Sequence, residues 1–366
     1  MIDSSANTLF SLLRLALGTS AEVPDLSALT KADWQKLIDL SFDQGVAALS
    51  VDGLGLMVDG VDLLDSPELE DLKYEWFASA FDAESHNSNV SARAREVYEF
   101  FAEGGFRSCV LKGQGLAQLY PVPEHRAAGD IDLWVEGERD AVLDYIRQKG
   151  IRITHVDVKH SDAEFFDDVP VEIHSLPSYT FDPICWKRLQ KWASRQIGIQ
   201  AAHYDSKVGF AYPTVEFNLV YVLHHIYRHL FNEGVGLRQV TDYACVMLHS
   251  DGCNREDVWK EIGALKMKRF ASGMMWVMKE CYHIDDTLLL CKPCEKEGRF
   301  LLNEFLHGGS FGRYDDRYSL NYSKNILVRG FAQFRRNLTF LTHYPNEVLW
   351  SPIWKVCHRL WMRRYK

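Results

Sequence analysis

At 366 residues the chain is long enough for two or three domains, and 47% hydrophobic with 25% charged residues is the composition of an ordinary globular protein, not a disordered or fibrous one. Its net charge of −9 argues against wholesale nucleic-acid binding. No uninterrupted apolar run approaches the ~18–20 residues of a membrane span.

Residues 1–105 read as a helical domain. The leucine-rich run 9–17 is short, holds Arg14 and follows Asp3, so it predicts a helix and no secretory leader. Thr30 and Asp33 form a capping box ahead of Trp34, Leu37 and Ile38. Asp52-Gly53 and Asp59-Gly60 read as turns, and Pro67 as the first turn of a long helix that ends at Gly104-Gly105. Eight cysteines without a repeating frame fit reduced thiols, which predicts a cytoplasmic protein.

Residues 106–180 change character. Cys109-Val110-Leu111 is strand-like and ends in the turn Lys112-Gly113-Gln114-Gly115, with a short helix over 116–120. Gly129-Asp130-Ile131-Asp132-Leu133 opens a second strand, 138–149 a helix, and 151–158, 163–166 and 169–174 further strands. The whole is a small α+β unit. Residues 181–320 return to helix (214–231, 237–248, 257–262, 269–281 and 296–306). A tail, 321–366, carries nine Lys/Arg against one acid, Glu347.

The chemistry concentrates in the α+β unit. A strand turns alternate side chains to opposite faces, so Asp130 and Asp132 point one way while Ile131 and Leu133 point the other. Flanking apolar residues mark a buried strand, where an uncompensated carboxylate is costly. Glu172, in Val171-Glu172-Ile173-His174, adds a third acid from a neighbouring strand. Mg²⁺ takes one or two carboxylates per ion, so three suit a pair of ions, Mg²⁺ or Mn²⁺, of the kind that clamps attacking and leaving oxygens in phosphoryl transfer. The Lys112-Gly113 turn supplies a cation and a backbone that can approach an anion. It lacks the spacing of a Walker A loop.

Together, L-K-G…Y-P…R…G-D-I-D-L…V-E-I-H, from Leu111 to His174, resembles the DNA polymerase β-like nucleotidyltransferase superfamily. Within it the motif looks like the bacterial family of uncharacterised nucleotidyltransferases, and it is similar also to the nucleotidyltransferase toxins of abortive-infection systems. The resemblance implies a polymerase β-like mixed sheet flanked by helices. It implies transfer of a nucleoside monophosphate from an NTP such as ATP to a hydroxyl on an RNA, a protein or a small molecule. Asp130 and Asp132 would hold both ions, and Glu172 would stand nearest the attacking hydroxyl. Gly113 would touch the β,γ-phosphates. Gln114 is placed with Lys112 and Gly113 among the phosphate-binding residues; it stands where the superfamily has Ser or Gly, and Lys112 would supply the contact of that Ser.

Other residues carry two readings each. Arg126 grips a phosphate or is a loop arginine. His174 and His160 tune the site or are structural. His224, His225, His229, Arg238 and Asp242 form a polar seam with Arg238 paired to Asp242, unless these helices cover the cleft, where Arg238 would reach substrate. Cys291-Lys-Pro-Cys294, with Cys281 and His283, is a zinc clip or, preferably, a pair of free thiols. The tail docks its aromatics on the core or contacts nucleic acid or an anionic surface. Two competing functions are a D-x-D glycosyltransferase, which would need a larger sheet, and a non-catalytic binding module.

Overall fold

A computed structural model of the protein describes residues 3–57, 62–309, 317 and 326–363. Three helices, α1 (Ser4–Leu17), α2 (Lys31–Asp43) and α3 (Ala47–Gly55), open the chain. The Thr30/Asp33 capping box forms at the start of α2. Asp52-Gly53 is not a turn but lies within α3, because the missing side chain lets α3 seat on α1: a Cβ on Gly53 would lie 2.0 Å from the Leu12 carbonyl oxygen. Asp59-Gly60 lies outside the described residues. Pro67 sits in the turn before α4 (Glu70–Glu103), a single 34-residue helix about 50 Å long.

The sheet comprises β1 (Ser108–Leu111), β2 (Ile131–Val135), β3 (Ile153–Val156), β4 (His160–Ala163) and β5 (Val171–His174), with α5 (Gly113–Ala117) after β1 and α6 (Arg139–Gln148) after β2. The fourth strand therefore falls a few residues earlier than the expected 163–166. Strand order is β1-β2-β5-β4-β3; β2 and β5 run parallel and the other pairs antiparallel. The fold is thus mixed α+β, with helical segments on both sides of the sheet in the chain.

Strand alternation sorts the two faces. Val110, Ile131, Leu133, Val135, Val171 and Ile173 share one core with Val90, Ala94, Val97 and Phe101, which recur at helical spacing along α4. Cys109, Leu111 and Trp134 join the larger helical core on the other face. Trp134 stacks there on Phe217, which stacks in turn on Trp192 at 4.7 Å.

Trp192 belongs to α7 (Pro183–Ala202), a helix the sequence pattern above does not mark, although Asp182 caps it and Pro183 occupies its first turn. A short hairpin, β6 (Tyr204–Asp205) and β7 (Phe210–Ala211), follows. Then come α8 (Val215–Asn232), α9 (Leu237–Leu248), α10 (Arg255–Ala264), α11 (Lys268–Tyr282), α12 (Glu295–Gly308), α13 (Ile326–Leu338) and α14 (Pro345–Met362). No helix among the described residues is long and apolar enough to cross a membrane.

Candidate functional site

Register brings the three acids together. Asp132 pairs with Glu172 across the parallel β2–β5 ladder, and Asp130 precedes β2 by one residue. Carboxylate oxygens of Asp130, Asp132 and Glu172 lie within 4.8 Å of one another. Asp132 is buried, with 2% of its surface exposed, so its charge needs partners. Lys112 Nζ lies 2.7 Å from Asp132 Oδ1, and His174 Nε2 lies 2.7 Å from the same oxygen. His174 Nε2 is also 3.1 Å from Glu172 Oε2, and its Nδ1 faces the Leu176 carbonyl. His174 pairs with His160 in the β5–β4 register, and His160 Nδ1 lies 3.0 Å from Glu172 Oε2. Lys159 Nζ is 3.6 Å from that oxygen.

The electrostatics divide the acids. Asp132 beside it and burial both push the Asp130 carboxyl up, with Lys112 pulling the other way. Burial also works to raise Asp132, but Lys112 and His174 outweigh it and hold that carboxyl well below its ordinary range. Glu172 is likewise held low: its burial is outweighed by the His174 hydrogen bond and by the charges of Lys159 and Lys112. Lys112 stays charged because Asp132 outweighs the cost of its burial. Two like charges in a buried cluster, one raised by the other, are relieved by a divalent cation. The donor set fits one, since it supplies oxygens from three side chains. His160, Glu172 and His174 form a second convergent group that shares Glu172.

The turn between β1 and α5 places Lys112. Its backbone takes φ 46° and Gly113 takes φ 33°, both in the region that disfavours side chains. A non-glycine residue held there carries strain of about 1–3 kcal/mol, and such residues concentrate at functional sites. Gln114 is not brought to the cleft. Its side chain turns toward α4, where Nε2 donates to Ser91 Oγ at 2.8 Å and to Asn87 Oδ1 at 3.2 Å.

A cleft of about 200 Å³ is lined by Lys112, Gly113, Asp130, Asp132, Glu172 and His160, and on its helical side by His225, His229, Glu233 and Arg238. Helices α8 and α9 thus cover the carboxylates. Burial, with His229 and Lys112 nearby, pushes His225 far below its ordinary value and keeps it neutral. Lys159, Glu233 and the position of His225 were not marked as site residues by sequence. The i, i+4 pair His225/His229 was the available signal, but nothing local to α8 tells which element it faces.

Arg238 feels the Asp242 charge, as expected of that pair, but the hydrogen bonds that hold Asp242 come from elsewhere. Asp242 accepts both Nε and Nη2 of Arg126, at 2.7 and 2.8 Å, and the Tyr120 hydroxyl at 2.8 Å. Arg126 reaches across because it is only 6% exposed and requires a carboxylate there. Arg238 Nη1 donates to the Ala127 carbonyl. Both arginines still line the cleft.

A larger cavity of about 560 Å³ lies among α7, α8 and α10, over Trp192 and Phe217. It contains none of the clustered acids, and chemistry outranks volume in locating the site. Among the described residues no metal-competent group includes Cys281, His283, Cys291 or Cys294, and all eight cysteines are free thiols. The tail docks: Trp354 stacks on Tyr179 at 4.6 Å, Arg139 lies over Trp361, and Glu347 accepts from Arg228 and the Phe181 amide.

A family model described as uncharacterised nucleotidyltransferase matches residues 30–283, and the chain belongs to that family. A comparison with curated proteins gives no match.

Proposed function

We propose that this member of the nucleotidyltransferase family is a working enzyme that moves a nucleoside monophosphate from an NTP to an acceptor hydroxyl, releasing pyrophosphate. The observation that carries the reading is the convergence of Asp130, Asp132 and Glu172 beside Lys112 in a covered cleft. Asp130 and Asp132 would hold the cations, Mg²⁺ or Mn²⁺, with Glu172 as the third ligand. Bound there, two divalent cations would neutralise the triphosphate and make the acceptor hydroxyl more acidic.

The protein's own groups do the rest. Lys112 fixes a positive charge against Asp132 and offers it to the leaving phosphates. Gly113 lets the backbone approach them without a side chain in the way. Glu172 accepts a hydrogen bond from the acceptor hydroxyl and orients it for in-line attack. The hydroxyl oxygen bonds to the α-phosphorus, the bond to the bridging oxygen of pyrophosphate breaks, and the proton passes by way of Glu172 to water. His174 holds Asp132 and Glu172 in register from behind. Helices α8 and α9 exclude bulk water, which strengthens each of these charges.

The test is a thermal-shift assay with Mg²⁺ and each NTP. At a hundred times Kd, binding adds about 2.7 kcal/mol to stability and raises Tm by a few degrees. Asp132→Ala is expected to fold and to lose the shift. No shift with any NTP in the wild type would contradict the reading.

A further inference from the structure

Helix α14 is apolar on both sides. One side docks: Val348 and Ser351 are buried, Trp354 stacks on Tyr179, and His358 lies 3.3 Å from Asp157. On the other side Leu349, Ile353, Val356 and Leu360 are between 52% and 63% exposed. At 100° per residue these four fall within about 60° of the helix circumference and run about 16 Å along it. Trp350 borders the stripe, as do Arg359 and Arg363, which are exposed. On α13, Phe331, Phe334 and Leu338 are exposed as well, beside Arg335. No described element covers these residues. A contiguous exposed apolar stripe rimmed by charged residues marks an interaction surface, so this face has an occupant.

Charge selects the occupant. The segment 321–366 has nine bases and one acid, and that acid, Glu347, is buried against Arg228. The tail therefore presents no acidic side chain outward, while the remainder of the chain, with 32 bases and 49 acids, is −17. A second copy docked about a two-fold axis would set this cationic face against itself. Nucleic acid stacks on aromatic rings, whereas the α14 stripe is aliphatic. An aliphatic face with arginine flanks and a tryptophan at its edge is the chemistry of a helix lying in a lipid headgroup region.

We infer that α14 docks this protein, peripherally, on an anionic lipid bilayer. The acidic remainder of the molecule is repelled by the same surface, which leaves α14 as the face that approaches.

The experiment is sedimentation of the full-length protein with vesicles of phosphatidylcholine alone or mixed with phosphatidylglycerol. Binding is expected to the anionic vesicles, to weaken as salt rises, and to be slight to the neutral ones. Leu349→Ser/Ile353→Ser/Leu360→Ser should abolish it. Arg359→Gln/Arg363→Gln should weaken it about fivefold per arginine. All five positions are exposed, and circular dichroism melts matching wild type establish that the variants fold. The inference is overturned if anionic vesicles do not bind the protein, or if the serine variant binds them as well as wild type. It is also overturned if the serine variant instead dissolves a dimer, or if binding proves to be to RNA and insensitive to the serine changes.

Discussion

Asp132 can be buried and ionised because Lys112 Nζ and His174 Nε2 both meet its Oδ1 at 2.7 Å. The same logic holds at Asp242, whose carboxylate takes the fork of Arg126 and the hydroxyl of Tyr120. Both partners of that ion pair are nearly inaccessible. Removing one leaves the other charged, buried and unpaired, which costs about 3–5 kcal/mol. Asp242→Ala is therefore expected to lower stability by that amount in urea unfolding, far more than the ~1 kcal/mol or less of a surface ion pair. An unchanged midpoint would show that Arg126 finds another carboxylate.

Among elements, α3 joins the helical opening of the chain to the loop before β2. Gly53 lets α3 lie against the α1 backbone at Leu12. Alanine in a helix interior ordinarily gains about 1 kcal/mol over glycine. Here the added Cβ would meet a carbonyl oxygen, so Gly53→Ala is expected to destabilise by about 1–3 kcal/mol, measured by denaturant unfolding. One residue earlier, Asp52 lies 2.7 Å from His125 Nδ1, while Glu84 of α4 lies 3.0 Å from its Nε2. The Asp52 hydrogen bond, opposed by burial and helped by Glu84, raises His125 from 6.5 to about 8. The folded state then binds more protons than the unfolded one between these values. This contribution is full below pH 6.5 and is lost as pH rises through about 8. After discounting for solvent screening it is on the order of 1 kcal/mol. The stability gap between wild type and His125→Gln should be that size near pH 6 and close near pH 9. A gap that is constant or grows with pH would contradict the assignment.

For the molecule as a whole, period-2 alternation in β2 and β5 was enough to put Asp130, Asp132 and Glu172 on one face and Ile131, Leu133 and Ile173 on the other. That signal is local and survives without coordinates. What joined the sheet to its cover was not legible. Arg126 and Asp242 are 116 residues apart, and His225 gives no local indication that it meets Lys112 rather than another helix. Gln114 read as a cleft residue because it follows Gly113, yet the start of α5 at Gly113 rotates it toward Asn87 and Ser91. Helix α7 was legible too, since Cys185, Leu189, Trp192 and Ala193 recur at helical spacing behind the Asp182-Pro183 start. Family membership separates the chain from glycosyltransferases, and the remaining distinction, enzyme against silent relative, is one of activity.

The most direct measurement is transfer of label from each α-³²P NTP to material in a cell lysate, comparing wild type with Asp130→Ala. Wild type is expected to label one fraction with one or more nucleotides, and chelation of divalent cations to stop it. Loss of cation ligation removes several kcal/mol of transition-state stabilisation, so Asp130→Ala should fall at least about a hundredfold. Equal labelling by the variant, or no labelling by wild type with any of the nucleotides, would contradict the assignment of this cleft as a nucleotidyltransferase centre.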